Sequence, residues 1–310
     1  MDYSATAQTF RQLALNEDAK AYVLDRPELY QPMYRAASRY IGGETLDSCL
    51  AVAQEINRQG HAVTIDFMGE STRGREQVAA ATAEFLNAAG AIDQYALNAS
   101  VSLDLSHIGL VVDEGLCLEN ASAIAEAAGA AGTEVMISAE GIDRTDAVHR
   151  VHGQLCERFE HVGITIQAFL HRSPRDLEVL LSRPGKVRVV KGAFDAPAGH
   201  TMQRGSALNA AYLALVRSLL GAKHPCSIAT HDPEILNVVV DETQGTDAEF
   251  AMLRGVAIER LDELRDRGLS TRVYLPYGYE WFLYLLNRLA EHPPSLFDAI
   301  SAAVAANETA

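Results

Sequence analysis

The sequence contains few cysteines, and none of them has the spacing of a redox or zinc motif. Four cysteines are scattered over 310 residues without a CxxC pair: Cys49, Cys117, Cys156 and Cys226. Sparse cysteines of this kind are typical of proteins in reducing compartments, so we expect reduced thiols and a cytoplasmic location. The first ten residues, MDYSATAQTF, also have no basic segment followed by an apolar one, which disfavours a secretory signal.

The sequence also lacks the common short motifs of nucleotide, metal and hydrolase sites. No GxGxxG motif follows a predicted strand and no GxxxxGKS/T motif occurs, so neither common nucleotide-binding loop is expected. The absence of HExxH and of GxSxG disfavours a zinc protease and a serine hydrolase. We therefore predict no bound metal.

Basic residues are too few for a nucleic-acid-binding protein. Lys and Arg number 26 against 41 Asp and Glu, which gives a formal net charge of −15 and a pI near 5.1. Because phosphate binding needs a surplus of Lys and Arg, we exclude nucleic acid as a partner and expect at most peripheral membrane contact. No run approaches the roughly 18 apolar residues that would span a bilayer. A composition of 48% hydrophobic and 22% charged residues indicates a folded protein.

The spacing of apolar residues changes once along the chain. Residues 1–55 have helical spacing, in TAQTFRQLALN and YQPMYRAASRYIGG, and Gly42-Gly43 is expected to end the second helix. From about residue 60, short β-rich runs alternate with Ala- and Leu-rich helical stretches. The predicted strands are residues 62–68, 98–105, 134–140, 163–169, 187–193, 226–231, 249–255 and 271–278. Eight such units predict an α/β protein with a parallel (β/α)8 barrel at 56–310, preceded by a helical segment at 1–55.

Polar residues collect at the C-terminal ends of the predicted strands, where a barrel of this kind has its active site. They are Asp66, Glu70, Asp104, Ser106, Ser138, Glu140, Gln167, Arg188, Lys191, Thr230, His231, Tyr274 and Tyr277. Asp66 and Glu140 are equally consistent with capping roles, and His231 with a buried structural histidine. The segment VRVVKGAF is more informative, because a cation inside a buried β-branched strand is costly unless an anion pairs with it.

Six segments resemble the proline dehydrogenase family. They are AVTIDFMGE and SVSLDLSHIG on the first two strands, and VRVVKGAFDAP, IATHDP, DAEFAMLRGV and RVYLPYGYEWFLYLLNRLAEHP on strands five to eight. The resemblance covers roughly residues 40–295 and implies a distorted (β/α)8 TIM barrel with non-covalent FAD and a last helix over the barrel mouth. It also implies hydride transfer from the carbon beside the proline nitrogen to flavin N5, with a quinone or other acceptor reoxidising the flavin.

The resemblance assigns flavin-binding roles to matching positions of this sequence. Arg188 matches an arginine beside flavin N5, where a cation stabilises the reduced flavin. The other predicted contacts are Ala139, Gln167, Lys191, Gly192, Ala193, Thr230 and His231. These positions keep the residue types of the family, so the resemblance predicts FAD as the cofactor.

The substrate-binding positions depart from the family pattern. The family has two adjacent arginines on the last helix where this chain has Asn287-Arg288, a lysine in place of Asp104 and an aspartate in place of Ser138. The family set is doubly positive, whereas this set has no net charge, so we expect a pocket less positive than a proline site. Trp281, Tyr284 and Arg288 have the spacing of one helical face, which we expect to look into the barrel mouth.

Three functions are consistent with these residues. The first is an FAD-dependent dehydrogenase that oxidises a C–N bond of a proline-like or other amine substrate. In this function Arg188, Ser138 and Asp104 are the predicted catalytic residues, and the substrate-binding residues are Asp104, Tyr274, Tyr284, Asn287 and Arg288. The second is L-proline dehydrogenase, giving 1-pyrroline-5-carboxylate, with Arg288 alone holding the carboxylate. The third is a flavin-binding protein without catalytic activity.

Overall fold

The computed structural model describes residues 4–192, 194, 196, 197 and 199–291. Within these residues, four helices precede eight strands that alternate with further helices. The strands are β1 Ala62–Phe67, β2 Ala99–Leu103, β3 Val135–Ile137, β4 Val162–Gln167, β5 Val187–Val190, β6 Cys226–Ala229, β7 Glu249–Leu253 and β8 Ser270–Tyr277. The helices are α1 Ser4–Ala14, α2 Glu17–Leu24, α3 Pro27–Ala37, α4 Leu46–Arg58, α5 Arg75–Gln94, α6 Glu114–Ala130, α7 Thr145–Cys156, α8 Ser173–Leu180, α9 Ser206–Gly221, α10 Pro233–Glu242, α11 Ile258–Asp266 and α12 Trp281–Glu291.

The chain divides into two compact units by its internal contacts. The barrel unit is Ala53–Tyr274, and the helical unit consists of the described residues of Met1–Val52 and Leu275–Ala310. The predicted division into segments 1–55 and 56–310, and the expected place of the last helix, stay predictions. No described helix combines the length and the hydropathy that a membrane crossing would require.

The strands form a closed parallel barrel in the order β1 to β8, which confirms the predicted (β/α)8 fold. Along β1, the buried apolar residues Val63 and Ile65 alternate with the buried polar residues Thr64 and Asp66. Because successive strand residues point to opposite faces, one set packs toward the surrounding helices and the other enters the barrel. The inward set is unusually polar in this chain, and it provides the side chains of the candidate site.

An ion network occupies the N-terminal end of the barrel interior. Glu249, at the start of β7, accepts hydrogen bonds from Arg272 Nε at 3.0 Å and lies 3.2 Å from Lys186 Nζ. Arg272 also donates to the Val63 carbonyl at 2.8 Å and so links β8 to β1. Burial would raise the pKa of Glu249, but Arg272 and Lys186 lower it below its usual value. Since these charges are paired with one another, this layer is structural.

The helical unit is held together by α12. This helix packs against α1 and α3, and the fully buried Trp281 ring makes edge contacts with Tyr30 and Tyr34 while its indole nitrogen donates to Glu44 at 2.8 Å. Within the helical unit the Trp281 side chain thus packs against α3 and Glu44. The expectation that its helical face looks into the barrel mouth stays a prediction.

The paired glycines also have a role different from the one predicted. Helix α3 ends at Ala37, several residues before Gly42-Gly43. The Gly42 amide instead donates to the Pro276 carbonyl at 2.8 Å, and the Gly43 carbonyl accepts from the Gly278 amide at 3.0 Å. These two bonds fix the end of β8 within the helical unit.

Candidate active site

The strands are shorter than the sequence predicted, and this places several candidate residues in the loops at the C-terminal mouth of the barrel. β2 ends at Leu103, just before Asp104, and β3 ends at Ile137, just before Ser138. Lys191 follows β5 directly, and Thr230 follows β6. Arg188 alone among the predicted catalytic residues lies inside a strand. The barrel unit therefore gathers these side chains at one end, as the position of barrel active sites requires.

Arg188 is held by hydroxyl groups from three other strands. Its Nε donates to Thr165 Oγ1 at 2.9 Å, and its Nη2 donates to Ser138 Oγ at 3.3 Å and Ser102 Oγ at 3.4 Å. Its Cζ lies 5.7 Å from the centre of the Tyr274 ring. Among the described residues, the guanidinium forms no ion pair. Burial lowers the pKa of Arg188, and Tyr274, Asp66 and Asp104 partly offset that shift.

Asp66 is a central member of the site that the predicted residue set omitted. It is 7% exposed, and its Oδ2 accepts a hydrogen bond from the Tyr274 hydroxyl at 2.8 Å. Burial raises the pKa of Asp66 to about 6, although the Tyr274 and Ser102 hydroxyls and Arg188 act in the opposite direction. Burial thus favours the protonated form of Asp66 up to a higher pH than is usual for an aspartate.

Asp104 lies beside Asp66 without a cation of its own. Burial raises its pKa well above the usual value, and the nearby carboxyl groups of Asp66, Glu140 and Glu70 raise it further. A hydrogen bond from Ser138 acts weakly in the other direction. Asp104 forms no ion pair with any described residue. The first three strands therefore bring carboxyl groups to the mouth, and β5 brings positive charge.

Glu140 and Gln167 form a rigid support at the ends of β3 and β4. The Glu140 carboxylate accepts from the Ser106 amide at 2.8 Å and from Arg144 at 3.0 Å, which is the capping role that the sequence left open. The Gln167 side-chain amide donates to the Glu140 carbonyl at 3.0 Å. This bond fixes the amide of Gln167 and the backbone directly after Ala139.

The loop after β5 is shaped by Gly192. Its φ of 101° lies in the region that favours glycine, and an added Cβ would lie 2.2 Å from the Phe169 ring. The neighbouring Lys191 forms an ion pair with Asp232. Asp232 in turn caps α10 by accepting from the Glu234 amide at 2.8 Å, so the lysine is anchored to a helix N-terminus.

His231 is fixed in one hydrogen-bonding state by the backbone. The Leu253 amide donates to His231 Nε2 at 2.9 Å. Because a backbone amide can only donate, Nε2 must accept, and the neutral imidazole carries its proton on Nδ1. Next to it, the buried Thr230 hydroxyl accepts from the Asp232 amide at 3.1 Å.

The predicted residues on α12 belong to the helical unit. Arg288 lies over the Tyr284 ring, with Cζ 5.1 Å from the ring centre, and its Nη2 is 2.7 Å from Glu291. Tyr284 and Arg288 thus share a helical face as predicted, and Asn287 is half-buried beside them. Ala193, a predicted cofactor contact, lies outside the described residues.

Three site residues had no predicted catalytic or binding role: Asp66, which was placed at the barrel mouth without a role, and the two hydroxyl residues Ser102 and Thr165. All three occupy inward positions of their strands. The alternation of polar and apolar residues could have identified the two hydroxyl residues. Thr165 precedes Gln167, and Ser102 precedes Asp104, by two residues, so each lies on the same face of its strand as a predicted site residue.

Comparison with known proteins identifies the family. The family model described as Proline dehydrogenase matches residues 49–293. The chain belongs to the proline dehydrogenase family. It is 32% identical to Proline dehydrogenase 1 of Bacillus subtilis (strain 168) over 264 residues, which cover 83% of this chain and 87% of that protein. It is 31% identical to Proline dehydrogenase of Deinococcus radiodurans over 285 residues, or 87% of this chain and 92% of that protein.

Solved structures support the fold of this family member. Proline utilization A of Bdellovibrio bacteriovorus, inactivated by N-propargylglycine, matches with a TM-score of 0.81 and 19% identity over 94% of this chain. A Bradyrhizobium japonicum proline utilization A variant matches with a TM-score of 0.71 and 20% identity over 82% of this chain. This chain covers only 37% and 30% of those longer chains. At such identities the likeness concerns the fold alone.

Proposed function

We propose that this chain is an FAD-dependent dehydrogenase that oxidises a C–N bond of a proline-like or other amine substrate. The observation that carries the proposal is Arg188, a half-buried cation at the barrel mouth whose hydrogen bonds all go to neutral hydroxyl groups. Asp66 and Asp104 offset the burial of this cation only in part and form no ion pair with it, so a bound group that supplies negative charge would be favoured, and a flavin can supply it. Membership of the proline dehydrogenase family supports the same function.

The residues at the mouth fit FAD in two respects. Arg188 offers positive charge where a reduced flavin ring would carry negative charge. Gly192 lets the backbone pass close to the Phe169 ring, and so sets the path of the loop that carries the predicted FAD contacts Lys191 and Gly192. We propose that FAD is held by Arg188 together with Ala139, Gln167, Lys191, Gly192, Ala193, Thr230 and His231.

Bound FAD would supply a two-electron acceptor for the hydride that leaves the carbon beside the substrate nitrogen, and would pass the electrons to a quinone or another acceptor. The residues of the chain would orient the substrate and manage its proton. An amine gives up that hydride only after its nitrogen has lost a proton. Asp66, with a pKa of about 6, and its neighbour Asp104 are suited to receive that proton. The product would be the corresponding imine.

We propose further that the substrate is more cationic or less anionic than proline. Asp104 has no ion pair within the described residues, and the resemblance puts a lysine at its position, so the sign of the charge is reversed. Arg288 already has an anionic neighbour in Glu291, at 2.7 Å. A substrate ammonium would supply the positive charge that Asp104 lacks, whereas a substrate carboxylate would add to the negative charge.

Oxidation of L-proline itself is the second candidate. Arg288 keeps one of the two arginine positions of the family, and its buried Nε has no hydrogen-bond partner among the described residues, so one donor is left for a carboxylate. Losing the other arginine would cost about 1.5–3 kcal/mol, or roughly 10- to 100-fold in affinity. Proline would therefore bind, but weakly.

Reconstitution with FAD and anaerobic bleaching test the proposal. Protein freed of unbound FAD is mixed with L-proline, hydroxyprolines, pipecolate, cyclic amines or basic amino acids, and the loss of visible flavin absorbance is followed. We expect at least one amine to bleach the flavin faster than L-proline does. A protein that takes up no FAD would refute the cofactor, and a protein that binds FAD but is bleached by no amine would be the non-catalytic flavin-binding protein.

Charge reversals test the substrate class. Two variants are made: the double variant Asp104→Lys/Asn287→Arg and a triple variant that adds Ser138→Asp. Both should be bleached faster by L-proline and more slowly by the preferred amine. Asp93→Lys, at an exposed aspartate of α5, changes the net charge by as much as the triple variant and is its matched control. Rapid bleaching of the unmodified protein by millimolar L-proline would refute the charge argument and leave an ordinary proline dehydrogenase.

A further inference from the structure

The partners of Arg188 have one chemical property in common: all of them are hydroxyl groups. We refer to Thr165, Ser102 and Ser138 as the hydroxyl cradle. They are 6%, 0% and 9% exposed, and they come from β4, β2 and the residue after β3. A hydroxyl accepts a hydrogen bond without neutralising the donor, whereas a carboxylate in the same place would cancel the charge. The cradle therefore orients the guanidinium and leaves its positive charge intact.

Strand register makes Thr165 the main contact of the cradle. Thr165 lies directly opposite Arg188 in the pairing of β4 with β5, and its bond to Nε is the shortest of the three at 2.9 Å. The bonds from Nη2 to the two serines are longer, at 3.3 and 3.4 Å. Nε and Nη2 are on one edge of the guanidinium plane. Once that edge is occupied, Nη1, which makes no hydrogen bond to a described residue, points away from the cradle.

Carboxylates near Arg188 provide a competing arrangement. Asp66 and Asp104 are close enough for their charges to favour the charged form of Arg188, yet neither forms an ion pair with it. A guanidinium that lost its Thr165 contact would be free to turn toward one of these carboxylates. Its charge would then be shared with a protein anion and would no longer be available to a bound group.

We propose that Thr165 is a positioning residue that keeps Arg188 out of an ion pair and directs its charge toward the flavin. This inference rests on the proposed function, since it assumes that FAD binds at this mouth. Thr165 lies inside a strand and is not proposed to contact the cofactor or the substrate. Through Arg188 it would control how easily the bound flavin is reduced.

The test is the midpoint potential of bound FAD in matched variants. Thr165→Val keeps the shape of the side chain and removes the acceptor for Nε. We expect its equilibrium constant for flavin reduction to fall about tenfold, the usual effect of one hydrogen bond to a charged group, which is ~30 mV for a two-electron couple. Thr165→Ser keeps the hydroxyl and should have the wild-type potential. The double variant Ser102→Ala/Ser138→Ala should have a lower potential, as Thr165→Val does.

Two controls separate positioning from a general disturbance of the barrel. Thr64→Val makes the same substitution at another buried inward threonine, whose hydroxyl shares a hydrogen bond of 3.3 Å with Ser100. Ser227 lies opposite Arg188 in the pairing of β6 with β5, and its hydroxyl forms no hydrogen bond within the described residues. Ser227→Ala removes that hydroxyl. Both should keep the wild-type potential.

Two results would overturn the inference while leaving the proposed function in place. One is a Thr165→Val protein that binds FAD with the wild-type potential although Arg188→Met lowers it. The other is an equal fall in potential for Thr64→Val. A wild-type chain that takes up no FAD would instead overturn the proposed function together with the inference.

Discussion

Replacing Asp66 by asparagine is expected to stabilise the protein relative to wild type at alkaline pH and to lose that advantage in acid. Asp66 is 7% exposed, and burial raises its pKa from 3.8 to about 6. A shift of that size corresponds to roughly 3 kcal/mol of unfavourable free energy for the charged form in the folded protein. Asparagine has no charge to bury and can still accept the hydrogen bond from Tyr274.

The sign follows from proton binding in the two states. Between about pH 4 and pH 6 the folded protein holds a proton on Asp66 that the unfolded chain has lost, so the wild-type stability from this group falls as the pH rises through that range. Above about pH 6 the folded wild-type protein bears the full unfavourable free energy of the buried, charged Asp66 carboxylate. The free energy of unfolding of Asp66→Asn minus that of wild type should therefore be up to ~3 kcal/mol larger at about pH 8 than at about pH 4.

Urea unfolding of both proteins at a series of pH values measures this difference directly. Taking the difference between variant and wild type cancels the titration of groups that do not interact with Asp66. Asp104, whose pKa the Asp66 charge raises, contributes in the same direction as Asp66, because its own carboxylate is buried at a lower cost in the variant. Asp93→Asn, at an exposed aspartate, is the control and should show no such pH dependence. A difference between Asp66→Asn and wild type that stays constant from acid to alkaline pH would refute the claim that Asp66 carries a buried charge.

Three further predictions follow from the same structure. Gly192→Ala should weaken FAD binding strongly, measured by equilibrium dialysis, because the new Cβ would lie 2.2 Å from the Phe169 ring; Gly221→Ala, with open space around it, should not. Glu249→Gln should lower the free energy of unfolding in urea by about 3 kcal/mol, since Arg272 loses its anion and Lys186 keeps only Glu134. Arg288→Ala should raise KM for a carboxylate-bearing substrate at least about tenfold, and an unchanged KM would mean that the substrate carboxylate does not bind there.

The strand order could be predicted from the sequence because each strand is a short apolar run followed by a helix. The ends of the strands could not. Residues such as Asp104 and Lys191 continue the β-like pattern of letters, but in the structure the backbone leaves the ladder at Leu103 and Val190. Polar side chains at a barrel mouth take part in loop hydrogen bonds. β-propensity does not show at which residue the strand ends and the loop begins.

The contacts of Arg188 could not be predicted from the sequence, although Arg188 itself was predicted as a site residue. Ser102 is 86 residues away from it in the chain, and only closure of the barrel brings the two together. A serine or threonine inside a strand is common and carries no signal of its own. By contrast, a cation within the run VRVVK is rare, because burying it is costly, and so it could be recognised.

The central claim is that this family member oxidises amines through FAD and prefers a substrate without the carboxylate of proline. Its most direct test is the rate of anaerobic flavin bleaching by pyrrolidine and by L-proline at equal concentration, since the two share a ring and differ by the carboxylate. We expect pyrrolidine to reduce the bound flavin faster. Rapid reduction by L-proline with none by pyrrolidine would contradict it.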